Sequence, residues 1–132
     1  MPKIYKKSFD KSKAQLSHKG TVFSTIIFAP EQINSDLTST WAFLAQGMKI
    51  TPHKHFTKEI HFFIKGTGFI QSGKNCYSVK EGDAIFIPPN TLHETWNEKE
   101  TELEFICISF NHKSSNFFLR ILSLLYRHFR RN

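Results

Sequence analysis

Residues 47–66 read Gly-Met-Lys-Ile-Thr-Pro-His-Lys-His-Phe-Thr-Lys-Glu-Ile-His-Phe-Phe-Ile-Lys-Gly. Within this stretch His53 and His55 stand two residues apart. In an extended strand such residues share a face, so the two imidazoles project together and Lys54 turns away. Glu59 keeps the same parity if the chain stays extended, and it can also reach that point across a bend. His61 has the parity of Glu59 and is expected to point inward. Phe63 shares that face and is expected to wall a pocket.

Two imidazoles on one face can hold one metal ion through two nitrogens. Further along the chain, His93 offers a third. Three neutral imidazoles and one carboxylate form a mixed nitrogen and oxygen set. Such a set suits divalent Fe, Mn, Ni, Co, Cu or Zn, and does not suit Ca or Mg. A His-x-His pair alone is a weak sign, because surface histidines pair by accident; the spacing around this one carries the weight. His61 then has three readings: a hydrogen-bond donor to a ligand, a general acid/base beside the metal, or a hydrogen-bonded core histidine.

The spacing resembles a known family. Gly47, His53, His55, Glu59 and Gly66 match every defined position of the first cupin motif, G-x5-H-x-H-x3-E-x6-G. Gly82, Pro88, His93 and Asn97 match the second, G-x5-P-x-G-x2-H-x3-N, with Asn90 where the family has glycine. Asn is the non-glycine residue that most readily takes the positive φ such a turn requires. Fifteen residues separate the motifs, as in small single-domain cupins. The resemblance covers about residues 40–110. It implies a double-stranded β-helix, or jelly-roll barrel, often dimeric. It also implies one divalent transition-metal ion (Fe, Mn, Ni or Zn) bound by His53, His55, Glu59 and His93, and His61 is the candidate catalytic residue beside it. Two positions of an octahedral shell would stay open for substrate, water or dioxygen.

The rest of the middle of the chain agrees with an all-β fold. Short runs rich in Phe, Ile, Val and Thr occur at 21–29, 41–47, 60–65, 68–71, 76–79, 84–87, 93–97 and 103–110, with turn signals at 72–75 and 81–83. Many short strands without intervening helices argue a sandwich or small barrel. Residues 30–39 read as a loop. In the strand at 41–47, either Trp41, Phe43 and Ala45 or Ala42, Leu44 and Gln46 face inward; the second choice makes Gln46 a substrate contact. Glu100, Glu102 and Glu104 alternate with strand period and read as a solvated face. Asn97 is expected to fix a turn through its side chain. Cys107, between two isoleucines, reads as buried and inert, and Cys76 as exposed.

With 132 residues the chain is one domain. It divides into a basic segment at 1–20, the barrel at 21–112, and a helix at 113–132 whose Phe117, Phe118, Ile121, Leu122, Leu125 and Phe129 recur at helical spacing opposite Arg120, Arg127, Arg130 and Arg131. The net charge of +7 comes from the two ends, each carrying +5, while residues 21–110 carry −3. A nucleic-acid module would show its basic face on the folded body, so no nucleic acid is expected. His18, His112 and His128 lie in the ends and read as surface histidines. The terminal helix is expected to dock on the barrel or on a second copy rather than on a membrane. Two cysteines and no apolar leader point to the cytoplasm.

Function is therefore expected to be that of a metal-dependent enzyme acting on a small oxygenated or carboxylate substrate, as a dioxygenase, isomerase or lyase. The alternative is a non-catalytic sensor resembling the effector barrel of arabinose-regulator-type transcription factors. Against it, this chain lacks their DNA-binding region and keeps the whole ligand set.

Overall fold

The computed structural model describes residues 3–98 and 100–110. The helix expected over 113–132, with His112 and His128, lies outside them. Among the described residues the regular structure is nearly all strand: a 3-10 turn (Lys11–Lys13), β1 (Gln15–Ser17), β2 (Val22–Phe28), a helical turn α1 (Pro30–Ile33), β3 (Leu37–Leu44), β4 (Lys49–His53), β5 (Lys58–Lys65), β6 (Thr67–Ser72), β7 (Asn75–Lys80), β8 (Ala84–Ile87), β9 (His93–Asn97) and β10 (Leu103–Phe110). The β-branched and aromatic content of these runs suits a pleated, half-buried surface. None of the described helices is long and apolar enough to cross a membrane.

The strands form two sheets. One has six strands in the order β1-β2-β3-β10-β5-β8, the other four in the order β4-β9-β6-β7. All pairings are antiparallel. Among the described residues no ladder joins the two sheets, so the jelly roll is a sandwich of facing sheets, not a hydrogen-bonded closed barrel. One core cluster unites them: Val22, Ala42, Leu44, Phe63, Leu103, Phe105 and Cys107 come from the larger sheet, Ile50, Ile70 and Val79 from the smaller. Leu44 and Leu103 are completely buried, each worth about 1.5–3 kcal/mol of transfer free energy.

Several local expectations change. β3 starts at Leu37 and ends at Leu44, so residues 30–39 hold a helical turn and the start of a strand. Ala42 and Leu44 do face inward. Gln46, however, lies beyond the strand end, is exposed, and donates from Nε2 to Glu100 O at 2.9 Å. It is not a cavity residue. The opposite face of β3 is not open to solvent either. Phe9 packs on Trp41 with ring centroids 4.2 Å apart, and Lys11 lies 4.6 Å above the Phe43 ring. Trp41 Nε1 donates to Glu104 Oε1 at 2.7 Å. Lys11 also pairs with Glu102 and sits 3.6 Å from Glu104. Glu102 and Glu104 of the face predicted to be solvated are thus partly covered by the N-terminal segment, which straps across them before entering β1, while Glu100 is exposed as expected.

Two turns show why particular residues stand where they do. Gly66 has φ +83°, and a Cβ there would collide with Glu102 O. Asn90 has φ +58°, and its N–H donates to His55 O at 2.8 Å. Asparagine therefore makes the turn usually made by glycine, and that turn fastens the loop carrying His55.

Candidate metal centre

The site is assembled from both sheets. β4 delivers His53 at its last residue and β9 delivers His93 at its first. They are Cα partners across an antiparallel pair, so their side chains share a face, and their ring centroids lie 4.3 Å apart. His55 sits beyond the end of β4, in the loop before β5, with its ring 5.4 Å from that of His53 and 5.2 Å from that of His93. The three imidazoles expected to converge do so. The route differs from the one predicted: loop curvature, not strand parity, brings His55 in.

Backbone carbonyls set the tautomers. His53 Nδ1 lies 2.9 Å from Thr51 O, and His93 Nδ1 lies 2.8 Å from Thr91 O. A carbonyl only accepts, so both Nδ1 atoms carry the proton and both Nε2 atoms keep a lone pair. Nε2 of His93 is buried without a hydrogen-bond partner, and Nε2 of His55 is buried with only the Glu59 carboxylate beside it. One ligand atom from each of His53, His55 and His93 falls within 4.8 Å of the others.

Strand parity does hold on β5, where Glu59 and His61 both point inward. Glu59 faces Ser109 and His61 faces Cys107 across β10. Glu59 Oε1 lies 3.2 Å from His55 Nε2 and accepts from Ser109 Oγ at 3.2 Å. Its Oε2 accepts from His61 Nε2 at 2.9 Å. The His61 ring stacks on Phe105 with centroids 4.9 Å apart. Phe63 is 2% exposed and belongs to the core cluster; Phe105, rather than Phe63, supplies the aromatic wall of the cavity.

The electrostatics suit a cation. Burial opposes ionisation of Glu59, but hydrogen bonds from His55 and His61 outweigh it and hold the carboxyl far below the usual carboxylate range. Burial lowers His53 and takes His93 down to about 4. His55 is raised by its hydrogen bond to Glu59. At neutral pH the site therefore offers an ionised carboxylate and imidazole lone pairs, the protonation states a transition metal requires. Burial and the nearby Glu59 push the Cys107 thiol up to about 12, consistent with the inert reading.

A cavity of about 110 Å³ lies beside this cluster, bounded among others by His53, Glu59, His61, Thr95, Phe105, Cys107 and Ser109; His55 and His93 are not on its wall. It is also bounded by Ser17 and His18. The sequence put His18 on the surface; the structure brings its ring to 4.7 Å from that of His53, edge-on. Nothing in residues 1–20 marks that placement except Gly20, the end of the turn that folds His18 inward.

The donor set fits a divalent transition metal: three convergent imidazoles, His93 Nε2 buried without a partner, Nδ1 protons of His53 and His93 fixed by the backbone, and the ionised Glu59 carboxylate 3.2 Å from His55 Nε2. Comparisons with known proteins place the fold. An uncharacterized protein of Methanocaldococcus jannaschii is 29% identical over 109 residues, 82% of this chain and 87% of that one. A Cupin 2 conserved barrel domain protein from Salinispora arenicola superposes with a TM-score of 0.75 at 16% identity, over 90% of this chain and 98% of its own. A cupin-like protein from Thermotoga maritima gives a TM-score of 0.69 at 26% identity, over 80% and 81%. The family model for the Cupin domain matches residues 40–109, which hold both motifs, all three convergent imidazoles and Glu59, and on that match the chain belongs to the cupin family.

Proposed function

We propose that this cupin is a metal-dependent enzyme acting on a small oxygenated or carboxylate substrate, with one divalent transition-metal ion held by His53, His55, Glu59 and His93. The observation that carries the reading is the convergence of one ligand atom from each of His53, His55 and His93 within 4.8 Å, with His93 Nε2 buried without a partner and His55 Nε2 facing only the Glu59 carboxylate. An unsatisfied buried polar atom costs about 1–3 kcal/mol, and one set among two further imidazoles beside a carboxylate is most simply satisfied by a cation. The metal supplies Lewis-acid polarisation of a substrate carbonyl or carboxylate.

The chain's own residues do the rest. His61 and Ser109 hold the Glu59 carboxylate from either side. His61 is 4% exposed, lines the cavity, and keeps Nδ1 unpartnered. With the Nε2 proton held against Glu59, its free Nδ1 can take a proton from a substrate in the cavity and return it, which makes it the candidate general acid/base. Phe105, Val22 and Ala42 exclude water from the cavity wall. Dioxygenase, isomerase and lyase chemistry all fit this arrangement.

Elemental analysis of protein purified without added metal tests the reading. About one transition-metal ion per chain is expected, abolished in the His53→Ala/His55→Ala double variant. Retention of metal in that variant would refute the ligand assignment. A sensor would bind a small carboxylate and return it unchanged; turnover of such a compound by the metal-loaded protein separates the two.

A further inference from the structure

The cavity has an inside and an outside. On its wall Glu59, His61, Thr95 and Cys107 are buried, whereas His18, which lines the same space, is exposed to solvent. A side chain bordering both a cavity and bulk water stands at the opening. The β1–β2 turn places it there, with φ of +49° at His18, +60° at Lys19 and +82° at Gly20. Positive φ at two successive non-glycine residues is a conformation that costs free energy, yet it turns the imidazole back over His53 instead of out to water. Ser17 Oγ lies 3.3 Å from His18 Nδ1 and 3.4 Å from Val22 O, and its one hydrogen can serve only one of them. His18 Nε2 has no partner among the described residues.

We propose that His18 determines specificity. It narrows the mouth so that only small molecules enter, and it presents its unpartnered Nε2 as the hydrogen-bonding partner of an oxygen of a bound hydroxy- or oxo-acid. The size limit follows from the cavity of about 110 Å³, smaller than the ~150 Å³ that accommodates benzene. The chemical class follows from its walls. Hydroxyls of Ser24, Thr40, Thr95 and Ser109 line it, and among the described residues no Lys or Arg does. A substrate with one acidic group, directed to the metal, and one further oxygen suits these walls better than a polyanion. The ligand class rests on the proposed metal site; the place of His18 at the mouth does not.

The test has one arm that needs no metal. Cys107 and Cys76 are the two thiols of the chain. In a Cys76→Ser background, with Cys107 inert, Thr40→Cys places a half-buried reporter thiol on the cavity wall. Its modification by methyl methanethiosulfonate, a small reagent, is compared with that by dithiodipyridine, a bulky aromatic one, on metal-free protein. His18→Gly accepts the positive φ and deletes the ring; His18→Asn accepts it as well and keeps a hydrogen-bonding group. The small reagent is expected to outpace the bulky one in the background protein, and His18→Gly to close most of that gap without lowering the melting temperature. In the second arm, Co²⁺-loaded protein is titrated with glycolate and followed by visible absorption. His18→Gly should weaken glycolate by about tenfold, the loss of one hydrogen bond to a charged partner, with Co²⁺ affinity unchanged and part of the loss recovered in His18→Asn. Unchanged reagent discrimination in both variants, or unchanged glycolate affinity, overturns the proposal. A protein that takes up no Co²⁺ but loses reagent discrimination on removing His18 supports the mouth assignment and refutes the metal site instead.

Discussion

Replacing Asn97 by aspartate changes almost no volume and removes every side-chain donor, which isolates what this motif residue does. Asn97 is 5% exposed. Its Nδ2 lies 2.6 Å from Ala45 O, 2.6 Å from Thr101 O and 3.3 Å from Leu44 O. The amide has two hydrogens, and the two short contacts take them. In Asn97→Asp both carbonyls lose their donor and face a carboxylate oxygen instead. Each stranded acceptor costs about 1–3 kcal/mol, so a loss of roughly 4 kcal/mol is expected, a large share of the ~5–15 kcal/mol that holds a domain together. For a chain of this length that lowers the melting temperature by more than ~10 °C. Urea unfolding followed by the fluorescence of Trp41, which is 3% exposed, gives the number directly, with the slope expected to be unchanged. The pH dependence adds a second check. Burial among carbonyls raises the new carboxyl's pKa in the folded state, so the folded state binds the proton more tightly than the unfolded one. Relative to the parent, the variant should regain stability as pH falls, because a protonated carboxyl can donate to one of the two carbonyls. A variant within ~0.5 kcal/mol of the parent at neutral pH, or one that loses further ground in acid, would refute the pinning role.

Gly66→Ala should cost more than ~3 kcal/mol, since the added Cβ meets the fixed Glu102 carbonyl at positive φ; a folded variant with an unchanged urea midpoint would contradict this. Asn90→Ala is expected to lose about 1–2 kcal/mol and Asn90→Gly less than that, because φ there is +58°; equal losses in thermal melts would show that the turn does not hold that backbone conformation. As pH falls, metal uptake should release a proton from His55 before it does so from His53 or His93, because the bond to Glu59 raises His55 while burial lowers the other two. Affinity, read by competition with a chelator, then falls about tenfold per pH unit below the His55 pKa, and a slope of zero or of three protons would contradict the assigned protonation states.

The two motifs made the fold and most of the site legible because they record constraints local in sequence. Gly66 and Asn90 mark positive φ, and Glu59 with His61 obey strand parity. What stayed hidden depends on register and on distant segments. His53 and His93 are cross-strand partners with a register shift between Ile50 and His53, which no periodicity in either strand reveals. Gln46 followed the right alternation but fell beyond the end of β3. Glu104 alternated as a solvated residue would, and was covered by Lys11 and Trp41, because the strap that covers it comes from a polar, basic segment with no strand pattern of its own.

That strap also explains how a surface-looking histidine reaches the site. Phe9 on Trp41 and Lys11 on Glu102, Glu104 and the Phe43 ring anchor the N-terminal segment to the outer face of the larger sheet. Only three residues later β1 begins pairing with β2, Gln15 opposite Ser24 and Ser17 opposite Val22. With the strand fixed on one side and its start anchored on the other, the β1–β2 turn has little freedom in where it sets His18. Basic residues that read as charge alone thus do geometric work, since they hold the outer face so that the hairpin can complete the cavity on the inner one. Loss of the Lys11 anchor should therefore be felt at the cavity mouth before it is felt at the imidazoles of His55 and His93, which are carried by other strands.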